Sequence, residues 1–280
     1  MNTIFHAVLL IVGFVALSLL GQWIVSRTLK IEVLQQHHSA GEAMMGAVGT
    51  LFSVLLGFMV AAAMSQYADA KMHDELEATN VANVFRIARG LSDEDRPRIR
   101  QLCRDYVDDV ISKEWPMMQR REKINHGWDV YQKLWEAVVA MHPENDRQNN
   151  LEQPLIEAMK DLGEHRRARI LLSQMQMPVA LWFVVGIGAI ATMSLSYVFA
   201  SQFPRVQALM TTLVATALAL NIWMLSAYSH PYSGELTIQP TMFQLLKESV
   251  LTVPDTPSRF LHDEETSAAS PKANEVKPAK

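Results

Sequence analysis

Charge-free apolar runs alternate along this chain with stretches in which apolar residues recur at helical spacing. Ile4–Val25, Ala43–Met64, Pro178–Ala200 and Val206–Tyr228 contain no Asp, Glu, Lys or Arg. Each reaches the ~20 helical residues needed to cross a bilayer core of roughly 30 Å. A charge near the centre of a span costs about 2.5–3.5 kcal/mol on the insertion scale, so four clean windows predict four transmembrane helices. The first window has no basic n-region and no small-x-small site in "GQWIVSR", so it reads as a retained span and not a cleaved signal peptide.

Between the second and third windows the pattern is amphipathic and helical throughout. The second span is expected to continue past Gln66 through Leu76, Val81, Phe85 and Ala88, with Gly90 ending it. "SDED" opens the next helix, with Pro97 moving its N-cap from Ser92 toward Asp95. Ile99, Leu102, Cys103, Tyr106, Val107, Val110 and Ile111 form its apolar stripe, which Trp115–Pro116 closes. A third stripe runs from Trp128 through Leu134 and Val138 to Met141 and is ended by "HPEND". A fourth, with Leu155, Met159 and Leu162, starts near Pro154 and feeds the third span through a kink at Pro178.

The predicted architecture is therefore all-α: a polytopic membrane protein with four transmembrane helices and a cytoplasmic helical bundle inserted between spans two and three. Its segments are a transmembrane hairpin (1–65), the bundle (66–177), a second hairpin (178–228), a C-terminal docking segment (229–253) and a polar, Pro-containing disordered tail (254–280). "HPYSGEL", His230 to Leu236, terminates the fourth span: Pro231 stops the helix and Gly234 permits a tight turn that docks the C-terminal segment on the bundle.

Composition agrees with membrane insertion: 49% of the 280 residues are hydrophobic, 19% are charged, and 16 are methionine. A net charge of −4 leaves no electrostatic footprint for nucleic acid. Cys103 is the single cysteine, which excludes an internal disulfide and a thiolate metal site within one chain. Lys71, Lys160, Arg166, Arg167, Arg169 and Lys247 lie on the side of the middle segment and the termini, against Arg27, Lys30 and Arg205 opposite. That bias puts the termini and the middle segment in the cytoplasm and the spans in the inner membrane.

Candidate chemistry is sparse. His38 and Glu42, with His37 beside them, have helix spacing for two metal ligands, but two ligands do not make a site and they read as interfacial polar residues. "RRAR", Arg166 to Arg169, reads as a topology signal in contact with lipid headgroups; an anion-attracting vestibule is the sharper alternative. There is no phosphate loop, nucleophile elbow or HExxH, so neither an enzyme nor a cofactor or metal is expected. The lack of a central ionisable residue in any span argues against a proton-coupled carrier.

The second span carries the strongest pattern. Gly49, Ser53, Gly57, Ala61 and Ser65 recur at steps of four, with Gly46 one turn earlier. Such a stripe lets another helix approach closely. Packing against the chain's own spans and packing against the same helix in neighbouring subunits stand side by side as readings. In the second, Phe52, Leu56 and Val60 form an apolar pore constriction around the shared axis.

The chain also resembles a known family, the four-span bacterial and plant proteins described as bestrophin-like. The resemblance covers roughly residues 34 to 246. Its pieces are His38, Gly41, Gly49, Leu56, Phe58, Tyr67, Ala70, Glu77-Ala78, Phe85-Arg86 and Tyr106, then Glu114-Trp115-Pro116, Arg166-Arg167 with Arg169, Pro178, Trp182 and Pro231-Tyr232-Ser233-Gly234-Glu235. The family carries no established site residues to transfer. Its remote likeness to bestrophin anion channels implies cytoplasmic termini, a pentameric homo-oligomer, a pore lined by the second span, and conduction of small ions. The reading that follows is a homo-oligomeric ion channel, with anions the first candidates. A non-conducting scaffold or sensor whose bundle binds a protein partner is the alternative.

Overall fold

The computed structural model describes residues 3–28, 38–124, 128–198 and 203–254. His37 and residues 255–280 lie outside these, as do the side chains of His38 and Glu42. Among the described residues the chain is helical, with no strand. The elements are α1 (Thr3–Thr28), α2 (His38–Ile87), α3 (Asp95–Asp109), α4 (Trp115–Gln119), α5 (Trp128–Val139), α6 (Asp146–Gln174), α7 (Val179–Val198), α8 (Pro204–Tyr228) and α9 (Thr241–Ser249). The stretches Ile4–Thr28, Ala43–Gly90, Val179–Tyr197 and Pro204–Tyr228 are long and apolar enough to span a membrane.

Helix α2 carries the predicted continuation of the second span. Its 50 residues make about 75 Å of helix at 1.5 Å per residue, more than twice the bilayer core. A 3-10 turn at Ala88–Gly90 ends it.

Helix α3 begins at Asp95 with Glu94 at its N-cap position, as Pro97 predicts, and Ser92 Oγ just upstream accepts the Asp95 N–H at 3.1 Å and donates to Asp95 Oδ2 at 3.0 Å. Other local expectations are corrected. Pro116 does not close that region. A π-turn at Val110–Glu114 widens the backbone where the proline ring would strike the carbonyl four residues back, and the chain stays helical to Gln119. Helix α6 starts eight residues before Pro154. Asn145 Oδ1 accepts the Gln148 N–H at 2.9 Å, so the end of "HPEND" caps the next helix. At Pro178 the chain breaks between α6 and α7 and does not merely kink.

The described chain falls into two compact units that cut across the segments read from sequence. The first comprises Met1–His73, Met117–Lys123 and Ala168–Gln239; the second Asp74–Pro116, Ile124–Arg167 and Pro240–Lys280. The 229–253 segment is thus divided between them.

In the first unit α1 packs along α8, and α8 against α7. The core is built from Phe52, Leu56 and Val60 of α2, Val185, Ala189 and Met193 of α7, and Ala215, Leu218 and Leu225 of α8. Gly188 makes this possible: a Cβ there would overlap the Phe52 ring. Outward faces carry exposed Leu9, Phe183, Ile187, Ile190 and Leu213, as expected of helices solvated by lipid tails.

The second unit buries Val81, Val84 and Phe85 of α2 with Ile99, Cys103 and Val107 of α3. Leu134 and Val138 of α5 and Leu155, Met159 and Leu162 of α6 join that core. Helix α9 adds Phe243, whose ring meets Trp115 edge-on at 5.9 Å between centroids.

Candidate functional site

The α2 helix presents two different faces inside the first unit. Phe52, Leu56 and Val60, expected around a shared axis, are buried at 6%, 2% and 8% exposure within the chain's own core. Side chains sealed against α7 and α8 are not available to line a pore, so the expected constriction is revised. Gly46, Gly49 and Gly57 have the opposite character. A Cβ built at any of them meets nothing within 4 Å among the described residues. Ser53 and Ala61 are exposed beside them. Packing against the chain's own spans therefore does not account for the small stripe.

Burial also overturns the reading of "RRAR". Arg166 and Arg169 are both at 0% exposure, and only Arg167 of the three arginines is open. In the second unit, Arg166 donates from Nη1 to Glu114 Oε2 at 2.9 Å and from Nη2 to Glu114 Oε1 at 2.6 Å. Its guanidinium lies 5.5 Å from the Tyr106 ring centre and 5.4 Å from that of Trp128. Tyr106 Oη accepts a longer bond from Arg166 at 3.4 Å and donates to Glu77 Oε1 at 2.6 Å. Glu77, Tyr106 and Glu114 are all within 1% of full burial. Four elements (α2, α3, the π-turn and α6) are thus tied by one polar chain. Its arginine is spent on a carboxylate and offers neither headgroup contact nor an anion vestibule. In the first unit, Arg169 Nη1 contacts Met118 Sδ at 3.6 Å.

This network was not read as a site from sequence, although Glu77, Tyr106, Glu114 and Arg166 all belong to the resemblance pieces. A signal was present: Glu77 sits on the buried stripe of α2 with Ala70, Val81 and Val84, where an unpartnered carboxylate would be costly.

"PYSGE" terminates α8 as expected and then does more. Tyr232 Oη donates to the Ala70 carbonyl at 3.4 Å, and Glu235 Oε2 accepts from Trp223 Nε1 at 2.7 Å. His6 Nδ1 stands 3.4 Å from Glu235 Oε1. The loop therefore fastens the ends of α1 and α8 to α2 within the first unit. Among the described residues no group of three or more His, Cys, Asp or Glu could hold a metal ion.

Four apolar helices with lipid-solvated outer faces and a closed internal core define an integral membrane protein. Residues 12–243 match the family model of the bestrophin-like domain, and the chain belongs to that family. It is also similar to a crystal structure described as that of a membrane protein, at 12% identity and a TM-score of 0.61, over 86% of this chain and 97% of that one. No curated protein matches it in sequence.

Proposed function

We propose that the chain assembles as a homo-oligomer around its α2 helices in the inner membrane and conducts small ions, with the termini and the 66–177 segment in the cytoplasm. Five subunits is the number the family's likeness to bestrophins suggests. The observation that carries the reading is the uncovered face of α2. A helix turns about 100° per residue, so positions two removed from a core residue lie about 200° round. Thr50, Val54 and Phe58 stand in that relation to Phe52, Leu56 and Val60. Val54 is 52% exposed and Phe58 71%. Gly46, Gly49, Ser53 and Gly57 form the edge between the two faces. A neighbouring α2 packs on that edge, and Val54 and Phe58 then form the apolar ring around the axis.

The ring replaces the one expected from sequence and keeps the same physics, a narrow dewetting neck. Because Arg166 is paired with Glu114, that arginine lends no charge to an anion vestibule, and the proposal is for small-ion conduction without a preferred sign. Planar-bilayer recording from the purified oligomer tests it.

A further inference from the structure

Helices α1 and α7 both pack on α8, and between them they leave a long slot in the first unit. Its volume is about 510 Å³, in the range of ligand pockets. On α1 the slot runs from Phe14 to Ile24, about 15 Å along the axis at 1.5 Å per residue. On α7 it runs from Trp182 to Tyr197, about 22 Å. Ile222 of α8 forms its floor. The slot is therefore elongated along the spans.

Small residues shape it. A Cβ built at Gly186, on its wall, meets nothing within 4 Å. At Gly21 the Tyr197 hydroxyl oxygen would stand 2.8 Å from a Cβ, a close approach that joins α1 to α7 at one end. Leu17, Leu20, Val185, Ala189, Ile190 and Met193 make most of the wall apolar. Ser18 spends its hydrogen on its own helix, donating to the Phe14 carbonyl at 2.8 Å. Leu17 and Ile190 are 67% and 68% exposed, so the slot is open along one side.

An apolar cavity of this kind does not hold water. Left empty, its walls forfeit their dispersion contacts. Helices α1 and α7 are both long and apolar enough to span a membrane, so the open side meets hydrocarbon chains. One leaflet of the ~30 Å hydrocarbon core is about 15 Å deep, the same length as the α1 wall.

Charge enters at one end. Ile24 is the last α1 residue in the slot, and Arg27 stands three residues on, on the same side of the helix. Arg27 is exposed, with its guanidinium 5.1 Å from the Trp23 ring centre. No hydrogen bond or ion pair engages it among the described residues. Helix α1 ends at Thr28, which puts Trp23 and Arg27 at the end of the span, where tryptophan and headgroups collect. A guanidinium there offers a forked donor to phosphate.

We infer that the slot binds one acyl chain of a bilayer phospholipid, with the lipid's phosphate on Arg27. A neutral isoprenoid would fill the slot and leave Arg27 unused. A helix from a second copy is too large: 15 Å of helix about 10 Å across occupies roughly 1,200 Å³, more than twice the slot. The inference rests on the membrane placement of α1 and α7 and is independent of conduction.

The test uses the purified full-length protein, stripped of lipid in detergent and titrated with dimyristoyl phosphatidylglycerol. Dimyristoylglycerol, with the same chains and no phosphate, is the comparison, and native mass spectrometry counts the lipids held. Saturable binding of one phospholipid per chain is expected, about tenfold tighter than the diacylglycerol, the gain from one charge-assisted hydrogen bond. Arg27→Gln should erase that difference and leave diacylglycerol binding in place. Gly186→Leu fills the slot without meeting a neighbour and replaces a helix-weakening glycine, so it stays folded and should lose both lipids. A melt of each variant without lipid reads its fold separately. Absence of saturable binding, equal binding of the two lipids by wild type, or undiminished binding in Gly186→Leu overturns the inference. A changed oligomer mass in Gly186→Leu also overturns it, by giving the slot to a second copy.

Discussion

Arg166 and Glu114 meet in a two-pronged ion pair with no solvent access to either side chain, at 2.6 and 2.9 Å. Removing one partner of such a pair strands a buried charge, which typically costs about 3–5 kcal/mol. Glu114→Ala should therefore lower the unfolding temperature sharply or abolish a monodisperse peak on detergent chromatography. Glu114→Leu combined with Arg166→Met should recover much of the loss, because replacing both charges removes the stranded group. An unchanged Tm in Glu114→Ala would show that the pair does not brace the fold.

The glycines of the membrane helices divide into two kinds with opposite expected behaviour. Gly57 has nothing within 4 Å, whereas a Cβ at Gly188 overlaps the Phe52 ring. Gly57→Leu should leave the inserted monomer intact and eliminate the detergent-stable oligomer, since a four-carbon side chain blocks close approach of a second helix. Gly188→Ala should instead destabilise the monomer itself. Multi-angle light scattering with a thermal melt separates the two effects; an unchanged oligomer mass in Gly57→Leu would take the stripe out of the subunit interface.

The helices were legible in the sequence because their causes are local: charge-free windows of span length, stripes at helical spacing, a glycine at the end of α2. The misreadings share a different origin. Asn145 and Pro116 each had a local meaning that depended on a partner or on a widened turn a few residues away. Phe52, Leu56 and Val60 were correctly grouped on one face, but periodicity states which residues share a face and not what that face meets. Arg166 looked like a surface charge because Glu114 is distant in the chain, and no spacing rule pairs residues across separate helices. Ile24, Gly186 and Ile222 converge on one slot for the same non-local reason.

Cys103 offers a check on the core of the second unit. Burial pushes its thiol up to about 12 from an ordinary 9.0, against the opposing pull of Arg104 and Arg100. Between those two values the folded state keeps a proton that the unfolded state has lost, so stability falls as pH rises through that window. Below it the thiol contributes no pH dependence. Maleimide labelling at pH 8 should be negligible in the folded protein and rapid once it is unfolded; fast labelling of the folded protein would mean that α3 opens to solvent.

Orientation is open to a direct test. Lys71, Lys160 and Lys247 stand on the side predicted to be cytoplasmic, so a reporter active only in the periplasm should be silent when fused after Glu248. Strong activity there would reverse the topology.

Recording from the intact oligomer in a planar bilayer tests whether α2 helices assemble around a conducting axis with Val54 and Phe58 at the neck. Wild type should carry a small single-channel current. Changing Val54 and Phe58 together to Ala should raise that current without altering the oligomer mass, because a wider ring wets more readily. Leu56→Ala, a cavity mutation in the chain's own core, should cost about 2–5 kcal/mol of stability and leave the current of the surviving oligomer unchanged. Silence from a verified intact oligomer, in wild type and in the Val54 and Phe58 variant alike and at every voltage, would contradict the account and leave a non-conducting scaffold in its place.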